Sequence, residues 1–527
     1  MPTQPILIAG SWRSANASST FRAENPATKE PLPEEYPVST WADCEAALAA
    51  AKKAAAEMRS LSGDKIAAFL ESFAAKIEGR KDDLVKLANL ETALPVSPRL
   101  ADGELPRTTN QLRQAAAAAK DGSWTMPTID SKQNIRSVLE PIGPVLVFGP
   151  NNFPFAFNSA SGGDFAAAIA AGNPVIAKAN TSHPGTTKLM AELAHVAAEE
   201  TGMPPATVQL IYRTSHEDGE RLVSDLRVGA IGYTGSRHAG LRLKAAADKT
   251  GRPFYAELSS VNPVVILPSA LEEKFDDIAG QFSASCLMGT GQFCTNPGLV
   301  LLLAGPQTEK FIATLVEKFT AAPIGTLLSS GVGKSLEKGV ASLTQAEAQI
   351  LTGGKPGGGK GHSYANTLLR VSGAGFLKNP IALQAEAFGN ESLLVVAESV
   401  EQAAHILSEL EGNLTGCIYS HTQGADDPAY KLLAAILRQK VGRLLNDKMP
   451  TGVAVSPAMN HGGPFPATGH PGFTAVGIPA SLRRFAMLAC YDGVRQPRLP
   501  ASLKDKNPTG KLWRQVDGEW TTKDLSI

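Results

Sequence analysis

From Pro144 onward the chain alternates short β-branched or apolar runs with helical stretches: strands expected at 145–148, 175–179, 208–212, 228–233 and 254–258, helices at 163–171, 186–201, 217–224 and 237–249. Strands separated by helix-length connections pair in parallel, so this region predicts a doubly wound sheet with helices on both faces. Ligands of such sheets sit beyond the carboxyl ends of the strands. Residues at those ends are therefore the first candidates for function.

The flanking segments differ. Residues 40–58 are alanine-rich and open on a Thr40/Asp43 capping box, and 64–90 continue in helical periodicity, so the N-terminal segment is mostly helical. A second α/β block is expected over 264–419, with helices near 278–288 and 307–321. A Gly/Pro-rich loop, His461-Gly462-Gly463-Pro464-Phe465-Pro466, precedes a short apolar segment at 473–478, and the polar, Pro-interrupted tail beyond Leu499 is expected to lack regular structure. At 527 residues the chain exceeds what one core supports, which argues for two or three domains. The glycine-rich stretch 353–361 lacks the Ser or Thr that should follow Lys360 in a phosphate loop and is read as a surface turn.

Lys plus Arg and Asp plus Glu each number 50, without long single-sign blocks, so nothing favours nucleic acid as a partner. The N-terminus has no basic, then apolar, leader, and no apolar run approaches a membrane span. Five scattered cysteines (44, 286, 294, 417 and 490) form no metal-site spacing and suit a reducing compartment, so a cytoplasmic location is expected.

A lone cysteine is usually a small buried hydrophobe. Cys294 is different: Gly289-Thr290-Gly291 before it and Thr295-Asn296-Pro297-Gly298 after it suit a thiol presented on a loop. Glu257 closes the expected strand 254–258, and Asn152 follows the strand 145–148 in Asn151-Asn152-Phe153-Pro154. A thiol nucleophile, a carboxylate base and an amide oxyanion donor make a complete set for attack on a carbonyl. Together these motifs resemble the aldehyde dehydrogenase superfamily over about residues 8–500.

The resemblance implies an α/β fold with a doubly wound parallel-sheet cofactor domain (1–126 and 148–257), an α/β catalytic domain (258–460), a small β oligomerisation element (127–147 and 470–500) and a C-terminal tail (501–527). It assigns Cys294 as nucleophile, Glu257 as the base that activates water, and Asn152 as oxyanion donor. No histidine is needed as a base. No G-x-G-x-x-G follows a strand; Tyr233-Thr234-Gly235-Ser236 through Gly240 resembles the family's variant turn, with Gly235, Ser236 and Gly240 at the cofactor. Lys178 matches the lysine that reaches the adenosine ribose, and Glu386 and Phe388 match the Glu-x-Phe-Gly pair at the nicotinamide.

Two departures carry information. Ser259 and Ser260 stand where the family usually has two glycines, and Thr181 stands where NAD-preferring relatives often have a glutamate. Thr181, His183 and Arg213 are expected to accept a 2′-phosphate, which favours NADP, with NAD as the alternative. The segments around Ser259, Thr181 and His461 are similar to α-ketoglutaric semialdehyde dehydrogenases. The implied reaction is oxidation of that aldehyde to 2-oxoglutarate through a cysteine thioester, by a homodimer or homotetramer without metal or membrane; a fatty aldehyde dehydrogenase and a cysteine ester hydrolase are the rival readings.

Overall fold

The computed structural model describes residues 3–525; residues 1, 2, 526 and 527, at the ends of the expected N-terminal segment and tail, lie outside the described residues. The strands expected after Pro144 form one sheet in the order Phe254–Glu257, Ala230–Thr234, Val145–Phe148, Val175–Lys178, Val208–Ile211. All neighbours among these five are parallel, and their residues are apolar on both faces because helices cover both sides. Two antiparallel strands, Ile6–Ile8 and Ser11–Arg13, extend the far edge.

Strand order decides where a ligand goes. The chain leaves Val145–Phe148 in one direction, then returns to build Ala230–Thr234 on its other side, so a crevice opens between the carboxyl ends of these two strands. The expected oligomerisation element, 127–147, included the first residues of Val145–Phe148; the structure places that strand at the centre of this sheet instead.

The N-terminal helices follow the expected pattern with one break. Asp43 Oδ2 accepts from the Thr40 backbone N–H at 3.2 Å and starts the helix Trp41–Met58. The run expected over 64–90 is two helices, Gly63–Gly79 and Lys81–Thr92, because Arg80 leaves helical geometry after a glycine.

A second sheet holds Gln349–Thr352, Thr367–Ser372, Glu391–Ala397, Leu299–Leu303, Val264–Ile266, Asn413–Tyr419 and Val441–Asn446, in that order, parallel except at the first strand. The helices Pro268–Leu287 and Pro306–Ala321 pack against it.

The third sheet runs Ala486–Asp492, Ile135–Pro141, Thr128–Asp130, Arg514–Val516, Glu519–Thr521. Its last two strands correct the reading of the tail, which does carry regular structure. Strand Arg514–Val516 pairs in parallel with Thr128–Asp130, and Arg514, wholly buried, donates to the carbonyl oxygens of Asp505 at 3.1 Å and Lys523 at 2.8 Å. A polar, proline-broken segment is ordered here by one guanidinium that satisfies its carbonyls. Arg514→Ala should cost on the order of 3 kcal/mol locally; the expected outcome is faster tryptic cleavage at Lys506 and Lys511 and a lowered Tm, measured by limited proteolysis and thermal unfolding.

Candidate active site

Cys294 lies on the loop between the helix Pro268–Leu287 and the strand Leu299–Leu303, which brings it from the second sheet to the crevice of the first. The loop is held by its main chain. Asn262 Nδ2 donates to the carbonyl oxygens of Cys294 at 2.9 Å and Asn296 at 2.8 Å. Asn413 Oδ1 in turn accepts from the backbone N–H of Val261 at 2.8 Å and of Asn262 at 3.0 Å. Ser260 joins this network: its hydroxyl has Asn262 Oδ1 at 2.8 Å and Asn413 Oδ1 at 3.0 Å as acceptors for its one proton, and it accepts from the Leu414 N–H at 3.0 Å. Gly291 is required, because at φ +66° a Cβ would stand 2.0 Å from the Gly389 carbonyl oxygen.

The strand end at Glu257 and the loop at His461 meet the thiol. Sγ of Cys294 lies 3.4 Å from Nε2 of His461, and the same nitrogen lies 3.1 Å from Oε1 of Glu257. His461 and Glu257 are each 1% exposed, and Glu257 Oε2 is buried without a partner. Burial pushes the Cys294 thiol well above its usual pKa, the Glu257 carboxylate adds to the shift, and Arg107 opposes it. The resting thiol is therefore neutral, and an attack by sulfur needs a proton acceptor within reach. His461 Nε2 and the Glu257 carboxylate both lie close enough to receive that proton.

Asn152 is buried beside this cluster, with Nδ2 donating to the Gln292 carbonyl oxygen at 3.1 Å. The second hydrogen of that amide remains for an oxyanion, and the Cys294 backbone N–H has no acceptor among the described residues. Glu104 fixes the segment that carries Asn152: its Oε1 accepts from the N–H groups of Phe155 at 2.8 Å and Ala156 at 2.9 Å, and its other oxygen pairs with Arg99.

Two adjoining cavities of about 670 and 840 Å³ share Pro150, Asn151, Asn180, Thr181, Thr234, Gly235 and Ser236 and run to Cys294. Lys178, Thr181, Arg213, Gly235 and Ser236 line the outer cavity; Glu257, Cys294, Glu386 and Phe388 line the inner one. Burial, reinforced by Arg213, pulls Lys178 down to about 8, and neither side chain has an acidic partner among the described residues. Two uncompensated cations at adjacent strand ends suit a phosphate-bearing ligand. Burial pushes Glu386 up to about 8, and the Ser260 N–H donates to it at 3.4 Å.

Other expected positions are placed differently. His183 is buried, with Nε2 2.9 Å from the Pro150 carbonyl oxygen and Nδ1 3.3 Å from Thr187 Oγ1. Burial also pushes its pKa down. A neutral ring with both nitrogens committed braces the turn and meets no phosphate; that expectation is corrected. His216, His238 and Arg242 line the outer cavity instead. Gly240 is buried beneath the turn, where a Cβ would stand 2.3 Å from Leu258 Cδ2, so it permits helix packing and does not line the cleft.

Sequence reasoning also missed Arg107. Its guanidinium lies 5.2 Å over the Phe157 ring and 5.7 Å from that of Phe153, Nε donates to Gln111 Oε1 at 3.3 Å, and Nη2 is buried without a partner. The Glu257 carboxylate and, when ionised, the Cys294 thiolate both act on it. Phe153, Phe157 and Phe293, with Val453, Val455 and Met459, make the apolar wall around it. For His461 the available signal was the pair of glycines after it: Cβ atoms at Gly462 and Gly463 would stand 2.1 Å from the Phe473 and 2.2 Å from the Asn413 carbonyl oxygens, so the loop must pack inward.

His461→Asn removes the imidazole in contact with the thiol while keeping a polar side chain. Alkylation of Cys294 by iodoacetamide near neutral pH is expected to slow by about 10²-fold, measured by mass spectrometry of the peptide that carries Cys294.

The profile of the aldehyde dehydrogenase family matches residues 12–450. The chain is 38% identical to "Alpha-ketoglutaric semialdehyde dehydrogenase 2" of Azospirillum brasilense, over 95% of this chain and 97% of that one. It is 35% identical to "Alpha-ketoglutaric semialdehyde dehydrogenase" of Acinetobacter baylyi, over 98% of each. Among solved structures, betaine aldehyde dehydrogenase of Staphylococcus aureus superposes with a TM-score of 0.81 at 22% identity, covering 93% of this chain and 95% of the other, a likeness of fold alone. A profile match across most of the sequence, two near-full-length relatives and a common fold lead to one conclusion: the chain belongs to the aldehyde dehydrogenase family.

Proposed function

We propose that this enzyme oxidises α-ketoglutaric semialdehyde to 2-oxoglutarate, with NADP as its preferred nucleotide. The observation that supports the substrate reading is the unpartnered, buried Nη2 of Arg107, whose guanidinium is within electrostatic reach of Cys294 and Glu257. An unpaired buried guanidinium is costly unless an anion meets it, and the carboxylate of a semialdehyde acid supplies that anion at the end of the molecule remote from the reacting carbonyl. The names of the two near-full-length relatives agree with this substrate.

In this reading His461 takes the thiol proton as Cys294 Sγ adds to the aldehyde carbon. The resulting oxyanion is held by the second amide hydrogen of Asn152 and by the Cys294 backbone N–H. The nucleotide, when bound, supplies the hydride acceptor that carries the adduct to a thioester. Glu257, whose Oε2 lacks a partner, activates the water that hydrolyses it. Acid leaves, and the proton returns to the thiol.

The family works with NAD or NADP. NADP is favoured here by Lys178 and Arg213 and by Thr181 in place of a carboxylate. Glu220, the one acid lining the outer cavity, is tied to Arg242. Lys178, Thr181, Arg213, Gly235 and Ser236 hold the adenosine end in this reading, and Glu386 and Phe388 the nicotinamide end.

Residues 1–126 with 148–257 are taken as the nucleotide domain and 258–460 as the catalytic domain. The third sheet is taken as the oligomerisation element of a homodimer or homotetramer; its edge strand Ala486–Asp492 leaves Met487 50% and Leu488 66% exposed. No helix among the described residues is long and apolar enough to cross a membrane, and all five cysteines are unpaired, which supports a reducing cytoplasm.

A steady-state panel of α-ketoglutaric semialdehyde, succinic semialdehyde and long-chain aldehydes with each nucleotide tests this reading. Reduced NADP should form fastest with the first, and Cys294→Ser should lose about 10³-fold or more of that rate; faster turnover of long-chain aldehydes would favour a fatty aldehyde dehydrogenase. Arg107→Met should raise KM for α-ketoglutaric semialdehyde about 10²-fold, matching the ~3 kcal/mol of a charge-assisted pair, and leave pentanal turnover nearly unchanged. Equal losses for both aldehydes would assign Arg107 to packing.

A further inference from the structure

We propose that Cys294, His461 and Glu257 form a binding site for a zinc ion whose occupation switches the enzyme off reversibly. The three side chains offer a thiolate sulfur, an imidazole nitrogen and a carboxylate oxygen, and their ligand atoms all lie within 4.8 Å of one another. A tetrahedral zinc with bonds of about 2.3 Å to sulfur and 2.0–2.2 Å to nitrogen and oxygen sets its ligand atoms about 3.3–3.6 Å apart. The observed separations are 3.4 Å from Sγ to Nε2 and 3.1 Å from Nε2 to Oε1. Two edges of the tetrahedral face are thus near their bonded lengths and the third, from Sγ to the carboxylate, lies within 4.8 Å, while the fourth position remains for water, as in zinc sites with three protein ligands.

The surroundings fit an ion. Glu257 is almost fully buried, yet its Oε2 has no hydrogen-bond partner, so one lone pair of the cluster is unsatisfied in the metal-free state. The ligands are pre-positioned by contacts outside the cluster: Asn262 holds the Cys294 carbonyl, the His461 N–H donates to Thr474 Oγ1 at 3.0 Å, and the Phe157 ring packs on the imidazole at 5.8 Å. Mixed sulfur, nitrogen and oxygen donors select zinc over magnesium or calcium, which take oxygen ligands. Arg107 and Arg443, both acted on by the Cys294 charge, work against a divalent cation and keep the site reversible.

Binding involves no oxidation or reduction. The Cys294 S–H bond breaks, its proton passes to solvent, and a zinc–sulfur bond forms as a metal-bound water is displaced. With sulfur and His461 both engaged, neither the nucleophile nor its proton acceptor is available. The inference rests on the geometry of these three residues alone and holds whichever aldehyde the enzyme oxidises.

Cobalt(II) titration of the full-length wild-type enzyme, followed by zinc displacement, provides the test. The expected result is a sulfur-to-cobalt charge-transfer band at one ion per chain, abolished in Cys294→Ser and needing at least about tenfold more metal in His461→Asn. In the wild type, zinc should slow alkylation of Cys294 about tenfold or more, with EDTA restoring it and magnesium without effect. That second measurement needs no variant and decides the matter if either substitution fails to fold. The proposal is overturned if no charge-transfer band forms, if the band survives in Cys294→Ser, which would place the ion at another thiol such as the exposed Cys490, if His461→Asn binds as tightly as wild type, or if zinc leaves the alkylation rate unchanged.

Discussion

The active site depends on two asparagine side chains that tie the catalytic loop to the junction between the sheets. Asn413 accepts from the main chain of Val261 and Asn262, and Asn262 donates to the carbonyls of Cys294 and Asn296. These bonds are buried, where an unmet amide is costly, so the loop has one satisfied conformation. That conformation carries the sulfur out of the second sheet to the carboxyl end of the first. Ser260 adds a hydroxyl to the same network.

Once the loop is placed, electrostatics follow from burial. A neutral Cys294, a histidine between it and Glu257, and a guanidinium with an unpartnered nitrogen share one low-dielectric region. In such a region each group's state depends on its neighbours, so imidazole, carboxylate and guanidinium are electrostatically coupled. The outer cleft follows another logic. Lys178 and Arg213 stand at the ends of adjacent parallel strands without acidic partners, and the cleft between them and the Gly235 turn carries an uncompensated positive charge.

Much of this is legible in the sequence. Lys178, Glu257, Asn152 and the Gly235–Ser236 turn stand at or just beyond strand ends, and it is the family resemblance that gives them roles; each lines the cleft or its inner end. The tail was misread because its order comes from Arg514 bonding to carbonyls, a contact with no signature in hydrophobic periodicity. His183 was misread because the turn before Pro184 directs its ring inward to the Pro150 carbonyl, while Thr181, two positions earlier, faces the cleft.

The amino-acid sequence alone determined the alternation of strand and helix, hence a parallel sheet with ligands at one end, and the chemical types that stand at that end. Only the tertiary structure decided that His461 is a neighbour of Cys294 and Glu257, that the Arg107 guanidinium comes within electrostatic reach of both, and that the tail completes the third sheet. The physical reason is range. Periodicity and turn chemistry act over a few residues, whereas the contacts of His461 span 167 and 204 positions and exist only after the two sheets and the intervening loops have packed.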